Sequence, residues 1–357
     1  MTNPYTLPFA AISHADFARV GGKCASLGEM TQAGVAVPPG FAVTTDAYQA
    51  MLDHHGLKAE IDRHLSGVDP FDFDQIDRAA QAIRIRIRSH KLPVKVETAI
   101  RTAYGAMEAE MGPETPVAVR SSATAEDLPD ASFAGQQDTY LWVKGADAVV
   151  EKVRDCWASL YTTRAVAYRE KNRIPQDVLM SVGVQKMVNA RAAGVAMTVD
   201  PINGDRTKIV IDASWGLGEM VVSGVVTPDN FTVEKVLEEV IARKISDKHV
   251  ELVGDPVAGE AVEREVPADR RTAQCLSDAE VLAVARLAKR LEKQYKCPQD
   301  VEWAIDADLP DGANLLALQS RPETIWSQKK KNAPKASYAT GMAGIVGTLN
   351  AALPVRR

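Results

Sequence analysis

Four short clusters in this sequence bring together residue types suited to phosphate or a hard cation. The first is Gly21-Gly22-Lys23, running on through Cys24, Ala25, Ser26 and Leu27, with Leu27 and Met30 on one helical face and Gly34 as the stop. Glycines let backbone N–H groups approach an anion, a helix N-terminus favours negative charge, and lysine adds a mobile positive charge. The spacing is not that of a P-loop, and a plain helix start would use the same residues. The second cluster is Val119-Arg120-Ser121-Ser122-Ala123-Thr124-Ala125-Glu126-Asp127, continuing from Ser132 through Gly135, Gln136, Gln137 and Asp138 to Thr139. Arginine at a strand end, followed by hydroxyls and small residues, suits a phosphate fork under a covering loop. An exposed polar loop with ordinary caps is the competing reading.

The third cluster, Ser214-Trp215-Gly216-Leu217-Gly218-Glu219, is a tight turn after a strand. The turn alone accounts for its glycines and the core for Trp215, which leaves Glu219 as the residue to meet a ligand. The fourth is mechanically the most telling. Glu302 lies in one expected strand, and Gln319 and Arg321 lie two apart in the next, which puts those two on one face. If the strands pair, Glu302 can lie across from them. A carboxylate with an amide oxygen suits Mg²⁺, which keeps several waters and takes phosphate oxygens for the rest. Arg321 would then grip a terminal phosphate, although most such trios are ordinary cross-strand ion pairs.

The elements that must carry these residues are legible in outline. Strands are expected at Phe41–Thr45, Val117–Val119, Leu179–Val188, Gly194–Val199, Lys208–Ala213, Phe231–Val233, Val301–Asp306 and Asn314–Ser320. Helical spacing runs through 94–111 and 146–170, and a capping-box pattern at Ser277 and Glu280 opens a helix over 277–295. Helix-rich sequence gives way to strands near residue 190. The reading is therefore α+β, with domains over 1–190 and 191–327 and a Gly/Ala-rich tail over 328–357.

Composition narrows the function. The chain has 357 residues, 42 basic against 47 acidic side chains and a formal charge of −5. That balance argues against broad electrostatic capture of nucleic acid or an anionic membrane. No uninterrupted apolar run suits a membrane span, and the start lacks the pattern of a signal peptide. The four scattered cysteines, with no C-x-x-C pair, read as reduced thiols of a cytoplasmic protein. The six histidines (His14, His54, His55, His64, His90, His249) show no partner pattern for Ser-His-Asp or Cys-His catalysis.

Taken in order, these motifs resemble the nucleotide-binding part of phosphoenolpyruvate synthase, shared with pyruvate phosphate dikinase and rifampin phosphotransferase. The resemblance covers about residues 10–327 and includes Gln319-x-Arg321-Pro322-Glu323-Thr324. It implies an ATP-grasp fold of two lobes with ATP between them and adenine against the strand around Gln185–Val188. It also implies that Lys23, Arg120, Gly135, Thr139, Gln185, Glu302, Gln319 and Arg321 bind ATP, and that Glu302 and Gln319 hold Mg²⁺. Arg84 matches a phosphate-binding arginine of the dikinase, within an Ile-Arg run at 83–88 that leaves the register open. Lys23, Arg120 and Arg321 would hold the developing charge of the reaction.

Full-length relatives continue into a swivelling domain with a catalytic histidine, whereas this sequence has no histidine after His249. The expectation is a split enzyme in which a separate phosphohistidine-bearing catalytic subunit takes the β-phosphate of ATP, leaving AMP and Pi. Phenylphosphate synthases are divided in this way, with phenol as final acceptor and, in some cases, a further stimulating subunit. The alternatives are part of a split or truncated phosphoenolpyruvate synthase or rifampin-type phosphotransferase, or a non-catalytic nucleotide-sensing subunit.

Overall fold

The computed structural model describes residues 3–123, 127–128, 131–132, 138–171, 178–255, 259–324 and 326. The chain starts with strand β1 (Thr6–Pro8), two single 3₁₀ turns and helix α1 (Phe17–Gln32), then β2 (Gly40–Val43). A helical run follows: α2 (Thr45–His55), α3 (Leu57–Leu65), α4 (Phe73–Ser89) and α5 (Val94–Met111). Strand β3 (Val117–Ala123), the short pair β4 (Asp127–Leu128) and β5 (Ala131–Ser132), and β6 (Thr139–Val143) lead to α6 (Ala146–Ser159), α7 (Thr163–Lys171) and β7 (Met180–Lys186). Next come β8 (Ala190–Met197), β9 (Lys208–Trp215), α8 (Glu219–Val222), β10 (Asp229–Glu234), β11 (Glu239–Lys244), β12 (Val250–Asp255) and β13 (Glu260–Glu265). The described part closes with α9 (Ala268–Arg271), α10 (Asp278–Tyr295), β14 (Gln299–Asp306) and β15 (Leu315–Pro322).

The strands form two larger antiparallel sheets, ordered β1-β2-β7-β3-β6 and β11-β10-β9-β8-β14-β15, beside the small hairpins β12–β13 and β4–β5. This is a mixed α and β architecture. By contact the chain divides into two units, Met1–Pro322 and Glu323–Arg357. Little of the second is described; within it the Trp326 N–H donates to the Glu323 carboxylate at 2.7 Å. The proposed tail over 328–357 lies outside the described residues.

Alternation decides which face each strand buries. On the first sheet Val43, Val117, Val119, Val182 and Val184 face a layer built from α2 and α4 to α7, where α4 contributes Ile76, Ala80, Ile83 and Ile87 at 4-3-4 spacing. The opposite face takes α1: Ala42, Phe9, Cys24 and Leu27 share a core with Trp303, Ala317 and the buried stripe of α10. Helix α1 thus packs against β3 and β7 on one side and β15 on the other. Strands part between Lys186 and Ala190, but the cores do not, because α1 joins residues near the N-terminus to the second sheet.

The capping box at α10 is present, with Ser277 accepting from the Glu280 N–H and the Glu280 carboxylate accepting from the Ser277 N–H. Two expectations change. The helix over 146–170 is two, α6 and α7, broken at Leu160–Thr162. Strand β3 runs past Arg120 to Ala123, so the arginine sits within the strand rather than at its end. Strands β11, β12 and β13 were not expected at all; β11 and β13 are mostly exposed and rich in charge, and β12 is partly buried along its whole length, so none shows a clear apolar alternation.

Candidate functional site

The Gly-Gly-Lys cluster is an internal restart of α1. Gly21 has φ 69° and ψ 173°, so helical geometry begins again at Gly22 and Lys23 lies in a first turn. A Cβ on Gly21 would sit 2.1 Å from the Ser122 carbonyl oxygen, so both backbone angle and space require glycine there. The Lys23 ammonium donates to the Ser121 carbonyl at 3.1 Å. The first two sequence clusters therefore interlock.

Arg120 lies on β3 between Gly183 of β7 and Thr139 of β6. Its Nη2 donates to Gln319 Oε1 at 2.8 Å and to Glu302 Oε2 at 3.2 Å, and Nη1 reaches the Leu318 carbonyl at 3.4 Å. Glu302 and Gln319 are direct cross-strand partners on β14 and β15. A β-bulge makes this so. Trp303 pairs with Ala317, both in the core, so simple alternation would turn Gln319 to the same side; the extra residue, Leu318, flips Gln319 to the side of Glu302. Two oxygens of different chemistry thus converge on one cationic nitrogen.

That convergence fits a magnesium ion. One carboxylate and one amide oxygen form a hard, sparse donor set that leaves room for water and phosphate. Among the described residues no group of three or more His, Cys, Asp or Glu side chains is arranged to hold a metal.

Lys23, Arg120, Gln185 and Gln319 line one narrow pocket with Phe9 and Leu318. Gln185 is buried there, its Nε2 directed at the Pro38 carbonyl at 3.4 Å. Cys24 also lines the pocket, and burial pushes its thiol up to about 11, which leaves it a poor nucleophile near neutral pH. None of the six histidines lines this pocket.

Other expected residues lie elsewhere. Thr139 is exposed, opposite Arg120 in the sheet. Arg321 shares the face of Gln319 but pairs with Asp300, its cross-strand partner, at 3.5 Å. Arg84 projects from α4 and donates to the Tyr161 carbonyl at 2.7 Å, outside the pocket. Gly135 falls outside the described residues. Glu219 is exposed at the start of α8, where the turn before it seats the β12–β13 hairpin: Gly216 bridges Leu252, and the Leu217 N–H donates to the Leu252 carbonyl at 2.8 Å. Sequence reading passed over Asp300, which lies just outside the expected strand Val301–Asp306 and inside β14; Ser26 and Ser122 fall within the first two clusters, but nothing local marks the partners they take.

A family model described as the pyruvate phosphate dikinase AMP/ATP-binding domain matches residues 17–342. The chain belongs to this family. Among its relatives, a probable phosphoenolpyruvate synthase of Staphylothermus marinus is 45% identical over 343 residues, covering 90% of this chain and 41% of that protein. The phosphoenolpyruvate synthase of Aeropyrum pernix is 44% identical over 340 residues, covering 88% and 42%. A probable phosphoenolpyruvate synthase of Methanocaldococcus jannaschii is 45% identical over 322 residues, covering 90% and 27%. The dikinase-family domain described here therefore spans about two-fifths or less of these relatives. Among the described residues no helix is long and apolar enough to cross a membrane.

Proposed function

We propose that this dikinase-family domain binds ATP between its two sheets, as an ATP-grasp unit, and serves as the nucleotide half of an AMP-forming phosphotransferase. The observation that carries the reading is the meeting of Arg120 with Glu302 and Gln319. An arginine held by a carboxylate and an amide is a cation in the place where a metal and a polyphosphate would share the same three side chains. With ATP bound, Glu302 and Gln319 would hold Mg²⁺, which offsets polyphosphate charge. Arg120 would turn its planar fork to phosphate oxygens, with Lys23 as a second, mobile charge. Gln185, on the neighbouring strand, meets adenine. Thr139 and Arg321 flank this line, and Arg321 joins it by exchanging Asp300 for a terminal phosphate. Positioning and electrostatics are what these residues supply; none offers a covalent step.

The nucleophile belongs to the rest of the enzyme. A histidine nitrogen outside this chain forms a bond to the β-phosphorus while the bond from that phosphorus to the α,β-bridging oxygen breaks, releasing AMP. Water then releases the γ-phosphate as Pi, and the phosphohistidine passes its phosphoryl group to the acceptor. Whether that histidine sits on a separate subunit, as in phenylphosphate synthases with phenol as acceptor, or on a longer chain acting on pyruvate decides the final product. The names of relatives at 44–45% identity favour pyruvate. We place the protein in the cytoplasm, without nucleic acid or membrane among its partners.

The test uses ATP labelled at the β-phosphate, the chain, Mg²⁺ and an extract of its own cells. An acid-labile, base-stable label on histidine, appearing with AMP only when this chain is added, supports the reading, and chasing it with pyruvate or phenol separates the acceptors. ATP binding without AMP formation under these conditions points to a nucleotide-sensing role.

A further inference from the structure

Helix α1 restarts at Gly21, and the third residue of the new helix, Cys24, has a backbone N–H that no side chain of its own N-cap can receive. A serine or aspartate at the cap would normally accept it. Here the cap is glycine, and the acceptor comes from a strand 98 residues away: Ser122 Oγ accepts the Cys24 N–H at 3.1 Å. The same hydroxyl donates to the Val20 carbonyl at 2.7 Å, just before the restart. Ser122 is fully buried, and its oxygen lies 2.7 Å from where a Cβ on Gly21 would be. Glycine at the cap is thus the condition for capping from outside.

The place of this hydroxyl ties two charges together. Cys24 follows Lys23, and Ser122 is two residues beyond Arg120 on β3. At the other wall, Ser26 of the same helix donates to the Ser320 carbonyl at 2.9 Å, and Ser320 follows Gln319 on β15. The first turns of α1 are therefore fastened to the strand bearing the arginine and to the strand bearing the amide oxygen.

We propose that Ser122, assisted by Ser26, is a positioning residue of the nucleotide site: it caps the α1 restart from β3 and so fixes the Lys23 ammonium relative to Arg120 and Gln319. The proposal rests on the ATP-binding reading above. Losing the hydroxyl orphans the Cys24 N–H and frees the turn bearing Lys23, at a cost within the range for one unmade buried hydrogen bond.

The experiment is a double-mutant cycle on the dissociation constant of ATP with Mg²⁺, using wild type, Ser122→Ala, Lys23→Met and the double variant in the full chain. Ser122→Ala is expected to weaken binding about tenfold in the wild-type background and less than twofold once Lys23 is gone. Equal losses in both backgrounds would overturn the proposal, since a general structural defect does not depend on Lys23. Thermal midpoints recorded alongside identify such a defect. If Ser122→Ala fails to fold, Ser26→Ala enters the same cycle, with non-additivity toward Lys23→Met again required. A second readout needs no nucleotide: reductive methylation of the Lys23 amine, followed by mass spectrometry, is expected to speed up in the serine variants. If wild type binds no ATP, the function reading falls while this labelling still decides the tie, and an unchanged rate sinks it.

Discussion

Asp229 and Lys248 meet at 2.6 Å with both side chains fully buried, whereas Arg120 and Glu302 meet at 3.2 Å with 18% and 27% of their side chains exposed. In the first pair both partners make further hydrogen bonds within the protein itself. Asp229 also accepts the Ser246 and Cys275 N–H groups at 2.9 and 3.0 Å, and Lys248 donates to the Ser246 carbonyl at 2.9 Å. In the second pair the arginine's partners are a carboxylate and an amide oxygen that suit a metal equally well. One pair pins the β10 end of the second sheet to the chain that follows it. The other sits where a ligand with both cation and anion can replace each contact with a better one. A charge pair reads as functional when its partners have something to exchange for.

The largest effect should come from the sealed pair. Lys248→Met strands the Asp229 charge without solvent, and unfolding in urea should show a loss of about 3–5 kcal/mol. ATP affinity of the folded fraction should stay at the wild-type value by calorimetry; a loss there would erase the distinction between the pairs. Glu302→Gln should behave in the opposite sense. ATP affinity in the presence of Mg²⁺ should drop by roughly 100-fold, about 2.7 kcal/mol, with a much smaller drop when the metal is chelated. The urea midpoint should hardly move, because the pair is partly exposed and worth little to folding.

How far the sequence carried this picture differs between the same regions. Glu302, Gln319 and Arg321 were visible because type and alternation could be read from a short stretch. The way Gln319 reaches the face of Glu302 was not, because a bulge leaves no residue signature at Leu318. The capping box of α10 was plain, since both partners lie within four residues. Ser122 capping a helix 98 residues away, and Asp229 binding Lys248, depend on chain paths that no local pattern encodes. The hairpin β12–β13 was missed for a related reason. Its small apolar contribution, Leu252 and Ala261, packs against Leu217 and Trp142, which lie far off in the sequence, Gly216 and Leu217 pair with Leu252, and a Cβ on Gly254 would lie 2.0 Å from the Trp142 ring.

Gly21→Ala comes next in size. The positive φ and the clash with the Ser122 carbonyl should together cost about 1–3 kcal/mol in unfolding free energy. ATP affinity should fall as well, since the restart carries Lys23; stability lost without affinity would separate α1 from the site. A smaller effect concerns pH in the helical layer. His90 stacks on His55 with ring centroids 4.2 Å apart. Burial, then the neighbouring His55 and Arg86, holds His90 below the usual 6.5, opposed by Glu60. A depressed histidine favours the neutral form when folded, so its contribution is present above pH 6.5 and lost as pH falls through the lower folded value. The thermal midpoint should fall between pH 7 and 5, with a shallower fall in His90→Asn; identical profiles would remove His90 as the cause.

The smallest effect is expected at Arg84, which tests the comparison from its quiet side. By resemblance this arginine would bind phosphate, but its guanidinium donates to the Tyr161 carbonyl at 2.7 Å and lies outside the pocket of Lys23 and Arg120. A carbonyl is a neutral partner, and the Arg84 contact ties α4 to the end of α6 rather than one sheet to the other. Arg84→Ala should therefore leave the ATP dissociation constant within about twofold and cost stability on the scale of one hydrogen bond, about 1 kcal/mol. A loss of affinity comparable to that of Glu302→Gln would mean that α4 swings its arginine onto the nucleotide. Exchangeability would then belong to a wider set of arginines than the pair between the sheets.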